Sequence, residues 1–179
     1  YKNKKIYKFF HMPIQSASNS VLRDMNRKYT IQQAEKIIKK FRQAIPNITI
    51  STDIIVGYPT EQESDHKKNI NFIKTYKPDV FNLSKMSIHK GTEAGKLKPL
   101  NIKIINKHTT ELMNIHRKTA KQNKTKFLNK KIKVFVNKKL EQNLFEARDN
   151  NYNIIIIKSD NNILGKNINV KIKEMGVHH

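Results

Sequence analysis

The first 125 residues alternate short apolar runs with amphipathic stretches, a rhythm that predicts strands followed by helices. Strands are predicted at Ile6–Ile14, Ile48–Val56 and Val80–Ser87, where apolar, β-branched or aromatic residues form nearly continuous runs. Helical spacing predicts helices at Ile31–Ala44, Glu61–Thr75 and Ile102–Thr125, with a shorter one after Ser18 or Asn19. This order predicts a parallel sheet with its helices outside. Three strands are too few for a closed eight-strand barrel, so exposed sheet edges are expected.

The pattern changes near Lys126, where short alternating runs replace the longer amphipathic ones. Strand-like runs are Lys131–Val136, Leu144–Arg148, Asn153–Lys158 and Asn167–Ile172, with turns predicted at Asn137–Lys139, Ser159–Asn162 and Gly165–Lys166. Short strands at this spacing are typical of a small antiparallel barrel of the OB or a related type. The sequence therefore predicts an α/β domain over residues 1–125 and a small β domain over residues 126–176.

Charge narrows the class of partner. The 179 residues include 36 Lys and Arg against 14 Asp and Glu, a formal net charge of +22. Such an excess favours a nucleic acid partner, although an AT-rich coding sequence would also enrich Lys, Asn and Ile. The sequence contains no run of about 18 apolar residues, so it does not predict a membrane-spanning helix. The chain lacks cysteine, which excludes disulfides and Cys-ligated clusters within it.

Polar residues follow each predicted strand of the first domain, where parallel sheets place their binding sites. The three groups are Gln15–Ser18, Asp53 with Gly57–Glu61, and Ser84–Ser87 with His89–Thr92. A helix cap explains the first group equally well, and a plain turn explains Gly57–Thr60. Asp53 interrupts an apolar strand, which is costly unless the carboxylate is paired or liganded. The scattered histidines give no metal-binding pattern.

Four blocks of residues carry a more specific signal. They are HMPIQSAS at His11–Ser18, VLRDMNRKYT at Val21–Thr30, ITISTDIIVGYPTE at Ile48–Glu61, and KGT at Lys90–Thr92. In order and spacing they resemble the radical S-adenosylmethionine methylthiotransferases, and the resemblance extends from about Ile6 to Ile172. The QSAS form and the IPNITISTDII stretch look closest to the tRNA threonylcarbamoyladenosine methylthiotransferases.

This resemblance implies a fold and a reaction. The first domain would be the second half of a partial (β/α)6 TIM-like barrel, and the second a TRAM domain, a small barrel that holds tRNA. The family adds a methylthio group at C2 of a modified adenosine on the 3′ side of the anticodon (tRNA position 37). Its cofactors are S-adenosylmethionine and two 4Fe-4S clusters, and its partner is tRNA. A cytoplasmic location is the default expectation.

The resemblance also assigns site residues. Those implied to bind S-adenosylmethionine are Gln15, Ser16, Ser18, Arg27, Thr52, Asp53 and Gly57. Those implied to approach the RNA are Ser84, Gly91, Thr92, Arg148, Asn150 and Tyr152. Arg27 would pair with the cofactor carboxylate, and Tyr152 would stack on an unpaired base. Ordinary barrel surface remains the alternative for Arg148, Asn150 and Tyr152.

Departures from the family pattern leave alternatives open. Thr60 replaces the second glycine of the family turn, and His89–Glu93 lacks the family's arginine and both of its prolines. Without cysteine, this chain has no ligand for the iron–sulfur clusters, and no catalytic residue is assigned within it. It is therefore expected to be inactive alone. Since it starts at Tyr1, the cluster cysteines would lie upstream, in the same chain or in a split subunit. A non-catalytic RNA-binding remnant, an isopentenyladenosine-modifying branch and a ribosomal-protein-modifying branch are the alternatives.

Overall fold

The computed structural model describes residue 3 and residues 5–89 and 91–176. Its first part holds strands β1 (Phe9–His11), β2 (Thr49–Val56) and β3 (Val80–Lys85), and helices α1 (Asn19–Asp24), α2 (Ile31–Ala44), α3 (Glu63–Tyr76) and α4 (Ile102–Thr125). The three strands are parallel and lie in the order β1-β2-β3. The predicted βαβαβα order and parallel sheet are therefore confirmed.

Capping residues mark the starts of the two helices whose bounds were predicted correctly, α2 and α4. Helix α2 has the predicted bounds because Thr30 and Gln33 form a reciprocal capping box at its start. Helix α4 also has the predicted bounds, and the side chain of its N-cap residue Asn101 accepts a hydrogen bond from the Lys103 backbone N–H. Strand β1 is much shorter than predicted, since Ile6 is exposed before it and Pro13 follows it.

The helices cover one face of the parallel sheet. Ile54 and Val56 of β2 belong to a core cluster with Ile38 of α2, Phe72 of α3 and Leu112 of α4. Side chains alternate between the two faces of a strand. The residues between these core positions therefore line the opposite face, which none of the four helices covers.

That opposite face, called the open face below, follows from the strand register. Asp53 lies beside Asn82, Ile55 beside Ser84, and Ser51 beside both His11 and Val80. The nearly continuous apolar run of β2 is typical of a parallel strand that is covered on both faces. The described residues cover one side fully, and the other carries polar groups at its centre.

The second part of the chain is a four-stranded antiparallel sheet. It consists of β4 (Lys131–Glu141), β5 (Leu144–Asp149), β6 (Ile154–Lys158) and β7 (Asn167–Lys171), in the order β6-β5-β4-β7. Side chains from β4 and β5 form its apolar core, which contains Val134, Val136, Phe145 and Ala147. Within the described residues, β6 and β7 are not paired to each other, so the sheet is not closed into a barrel.

The turn predicted at Asn137–Lys139 is wrong. Strand β4 continues through it to Glu141, with register shifts between Val136 and Lys138 and between Lys139 and Glu141. Such bulges let a strand absorb an extra residue and twist without ending. The chain reverses instead at Gln142 and Asn143.

The two parts of the chain contact each other. The Lys8 backbone N–H donates to the Asn150 carbonyl at 2.9 Å, and the ring of Tyr152 packs on Tyr7 and Phe9 at centroid distances of 4.9 and 5.3 Å. The division at residues 125 and 126 stays a prediction. No helix in the described ranges has the length and apolar character needed to cross a bilayer.

Candidate functional site

A row of polar side chains crosses the centre of the open face. The Asp53 Oδ1 atom lies 2.8 Å from His11 Nε2 and accepts a hydrogen bond from Asn82 Nδ2, also at 2.8 Å. Each of the three strands supplies one member. This pairing with a histidine and an amide accounts for a carboxylate in an apolar strand. The row remains accessible, since the side chains of His11 and Asp53 are 43% and 27% exposed.

The segment Gln15–Ser18 follows β1 at the carboxyl end of the sheet. Gln15 has a positive φ of 63° and forms an isolated parallel bridge with Ile54. Its backbone N–H donates to the Asp53 carbonyl at 2.9 Å, and its own carbonyl accepts from Ile55 at 2.9 Å. These bonds fix Gln15 next to the open-face row.

Ser16 and Ser18, by contrast, point into the protein. Both are buried, and Ser18 Oγ donates to Asp65 Oδ1 at 2.6 Å while accepting from Lys68 Nζ at 3.2 Å. The Ala17 backbone N–H donates to Asn69 Oδ1 at 2.7 Å. Helix α3 therefore holds this segment in place, a support that sequence reading missed because these α3 residues lie far along the chain.

Asp65 is the central acceptor of that support. Burial alone would raise its pKa, but hydrogen bonds from Ser18, the Gln62 backbone and Lys68 outweigh burial and hold the pKa below its ordinary value of 3.8. The charged form is thus favoured in the folded state. Its stabilising contribution is present above the ordinary pKa and is lost as the pH falls through the lower folded-state pKa.

We expect Asp65→Asn to lower the free energy of unfolding by about 1–3 kcal/mol near neutral pH, since buried donors would lose a charged acceptor. The loss should shrink below the folded-state pKa, where the native carboxyl is itself protonated. Urea melts at neutral and strongly acidic pH measure both values. Asp160→Asn makes the same chemical change at an exposed position and should be nearly neutral. A loss independent of pH would contradict this account.

The turn after β2 is fixed from two sides. The Gly57 backbone N–H donates to Glu61 Oε2 at 2.9 Å, and Tyr58 OH donates to the Asp24 carbonyl at 2.7 Å. Thr60 Oγ1 donates to the Asp24 carboxylate. Thr60, which departs from the family glycine, thus makes its own contact with the end of α1.

Gly57 has a structural reason to be glycine. Its φ is +88°, and a Cβ there would lie 2.7 Å from Ile105 Cδ1 of α4. Thr52 also acts internally, because its buried hydroxyl donates to the Met12 carbonyl at 2.7 Å. Any role of Gly57 or Thr52 toward a cofactor stays a prediction.

Arg27 lies exposed beyond α1. Two residues on, Tyr29 OH lies 3.1 Å from each of the carbonyls of Pro13 and Ile14. This contact ties the segment that carries Arg27 to the backbone just before Gln15. The implied pairing of Arg27 with a cofactor carboxylate stays a prediction.

The third group follows β3 and is more loosely built. Ser84 is exposed on the open face. Gly91 has a φ of +87° with no atom within 4 Å of a Cβ position. Thr92 Oγ1 donates to the His89 carbonyl at 2.8 Å. Lys90, part of the KGT block, lies outside the described residues.

Arg148, Asn150 and Tyr152 come together at the β5–β6 turn. The Arg148 guanidinium carbon lies 4.2 Å from the Tyr152 ring centroid, and Arg148 Nη1 donates to the Tyr152 carbonyl at 3.1 Å. Because that ring also packs on Tyr7 and Phe9, Tyr152 is only 39% exposed. Base stacking would have to use the remaining exposed part of the ring.

Comparison with known proteins agrees with the motif blocks. Residues 2–73 match the model of the radical SAM superfamily. The chain is 36% identical over 174 residues to the "Probable threonylcarbamoyladenosine tRNA methylthiotransferase" of Archaeoglobus fulgidus, covering 97% of this chain and 40% of that protein.

Relatives of a second kind match almost as well. The "tRNA-2-methylthio-N(6)-dimethylallyladenosine synthase" of Thermosipho melanesiensis is 35% identical over 174 residues, which cover 96% of this chain and 40% of that protein. The chain spans about 40% of the length of both curated relatives. The chain is therefore related to the radical SAM methylthiotransferases, and the resemblance seen in its motifs is confirmed.

Proposed function

We propose that this chain is part of a tRNA methylthiotransferase and supplies the second half of its radical SAM barrel and a TRAM-like RNA-binding domain. The activity belongs to the whole enzyme, which adds a methylthio group at C2 of N6-threonylcarbamoyladenosine. The QSAS and IPNITISTDII stretches favour this base over isopentenyladenosine. Relatives of both kinds match, and the choice of base is part of the proposal. A cytoplasmic location goes with it.

The observation that carries this proposal is the open face with its polar row. The His11–Asp53–Asn82 row lies at the centre of the side that the helices leave uncovered, and Gln15 lies beside it at the carboxyl end of the sheet. Parallel α/β sheets bind ligands at this end. Carboxylate, imidazole and amide groups suit the hydroxyl, amine and ring-nitrogen atoms of a nucleoside cofactor.

The chain fits the two cofactors of the family differently. Thiolates hold iron–sulfur clusters, and this chain has no cysteine, so it does not fit a cluster. It does fit S-adenosylmethionine, which in the whole enzyme supplies the radical chemistry. Here Asp53 would accept hydrogen bonds from hydroxyl or amine groups of the cofactor, while His11 and Asn82 hold the Asp53 carboxylate in place. Arg27 would provide a positive charge for the carboxylate.

Binding of tRNA is the part of this proposal that can be tested on this chain alone. The net charge of +22 predicts that the affinity for tRNA falls steeply as salt rises, because phosphate contacts release counterions. Tyr152→Ala should weaken binding by about 1–3 kcal/mol through lost base stacking, whereas Tyr152→Phe keeps the ring and should bind normally. Fluorescence anisotropy with labelled anticodon stem-loops measures both effects.

Three forms of the same stem-loop distinguish the branches: threonylcarbamoyladenosine, isopentenyladenosine, or plain adenosine beside the anticodon. Tighter binding of the first form supports the proposal, and tighter binding of the second supports the other branch. An affinity that is flat with salt would contradict a phosphate interface. Thermal melts of both Tyr152 variants control for loss of the contacts with Tyr7 and Phe9.

A further inference from the structure

One carboxylate and two imidazoles form a buried cluster between the β2–α3 turn and α4. Glu61 comes from the turn, His66 from α3 and His108 from α4, and they are 4%, 0% and 2% exposed. Their candidate ligand atoms all lie within 4.8 Å of one another. The histidine rings stack with centroids 3.6 Å apart and an interplanar angle of 3°. Sequence spacing concealed this cluster, because helix packing brings together histidines that are distant along the chain.

Three polar atoms of the cluster lack a hydrogen-bond partner within the described part of the chain: Glu61 Oε1, His66 Nδ1 and His108 Nδ1. Buried polar atoms left in this state are costly and rare. The separation between His108 Nδ1 and Glu61 Oε1 is 3.4 Å. Two ligands of one tetrahedral Zn²⁺, each about 2.0–2.1 Å from the ion, lie about 3.4 Å apart.

The far nitrogen of each histidine is already paired with a carboxylate. His66 Nε2 lies 3.0 Å from Glu111 Oε2, and His108 Nε2 lies 3.1 Å from Glu63 Oε2. Metal-binding histidines commonly donate their second ring N–H to a carboxylate, which fixes the tautomer and strengthens the ligand nitrogen. With a proton on each Nε2, both Nδ1 lone pairs are free to bind a cation.

We propose that Glu61, His66 and His108 form a binding site for a divalent transition-metal cation of the Zn²⁺ class. Two nitrogen donors and one oxygen donor suit this class better than Mg²⁺ or Ca²⁺, which prefer oxygen ligands. A water molecule completes the four ligands. The lone pairs of parallel rings do not converge, so ion binding turns the two rings out of their stack.

Such an ion would join the turn after β2 to α3 and α4. Glu61 also accepts the Gly57 N–H through its other oxygen, so the ion would fix the turn that begins at Gly57. The carboxylates of Glu61, Glu63 and Glu111 offset its charge locally in a strongly basic chain. This inference goes beyond the proposed function and does not depend on it.

The experiment is a Zn²⁺ titration of the full chain by calorimetry, with thermal melts alongside. His178 and His179, outside the described residues, are replaced by alanine in every sample, since adjacent histidines bind zinc themselves. We expect one Zn²⁺ per chain and a higher melting temperature with Zn²⁺ than with Mg²⁺. Glu63→Gln and Glu111→Gln, at half-exposed positions, should each weaken Zn²⁺ binding about 10–100-fold.

Two further variants test the ligands and the background. His108→Gln should abolish binding, while Glu93→Gln, at an exposed residue paired with Lys96, should leave it unchanged. If His108→Gln does not fold, two other measurements test the site. They are Zn²⁺ binding by the Glu63 and Glu111 variants and the visible spectrum of Co²⁺ bound to the parent chain. A tetrahedral Co²⁺ spectrum supports the site. No binding to the parent chain, or binding that survives both outer-carboxylate variants unchanged, overturns it.

Discussion

Gly57→Ala is expected to destabilise the chain by about 2–5 kcal/mol. A positive φ costs a residue with a Cβ about 1–2 kcal/mol, and overpacking a filled site adds about 1–3 kcal/mol. Both conditions hold at Gly57, where φ is +88° and the new Cβ would lie 2.7 and 2.8 Å from two carbons of Ile105. Urea unfolding followed by circular dichroism measures the change.

Two other glycines separate strain from packing. Gly91 and Gly165 have φ values of +87° and +75°, but a Cβ at either would meet nothing within 4 Å. Alanine there should therefore cost the backbone term alone, about 1–2 kcal/mol. Equal losses at Gly57 and Gly165 would refute the close approach of α4 to the turn. Ile105→Val in the Gly57→Ala background should recover part of the loss, because it removes the Cδ1 atom.

Phe145→Ala is expected to cost about 3–5 kcal/mol, the usual range for deleting a fully buried aromatic ring. Phe145 is 1% exposed and lies in the core of the antiparallel sheet with Val134, Val136 and Ala147. A core this small has little other apolar burial to offset the cavity. Phe135→Ala is the matched control, since that phenylalanine lies on the adjacent strand β4 and is 38% exposed.

The same variant tests the division near residue 125. If the two parts unfold separately, Phe145→Ala shifts one of two transitions and lowers tRNA affinity while the parallel-sheet part stays folded. One transition that moves as a whole would instead show that the contacts of Tyr152 with Tyr7 and Phe9 join the parts cooperatively. Scanning calorimetry together with the stem-loop binding assay distinguishes these results.

Local sequence determined the helices and the order of the elements. Thr30 with Gln33, and Asn101, mark helix starts by satisfying backbone N–H groups that helices leave free, and those signals involve residues only two or three positions apart. Apolar runs likewise identified β2 and β3. The first half of β4 was also predicted, but its continuation past Val136 was not, because a bulge depends on pairing with β5 and not on the residues of the strand alone.

Tertiary structure decided how the polar residues meet. Asp53 could be marked as unusual from sequence, but its partners His11 and Asn82 depend on the register of three strands. Ser18 was expected to face a cofactor, yet α3 supplies Asp65 and Lys68 to hold it. The motif blocks revealed the resemblance to the radical SAM methylthiotransferases, since they preserve residue types at fixed spacing. The stacked pair His66 and His108 arises only from packing α3 against α4, because contacts between distant segments leave no periodic signal in either one.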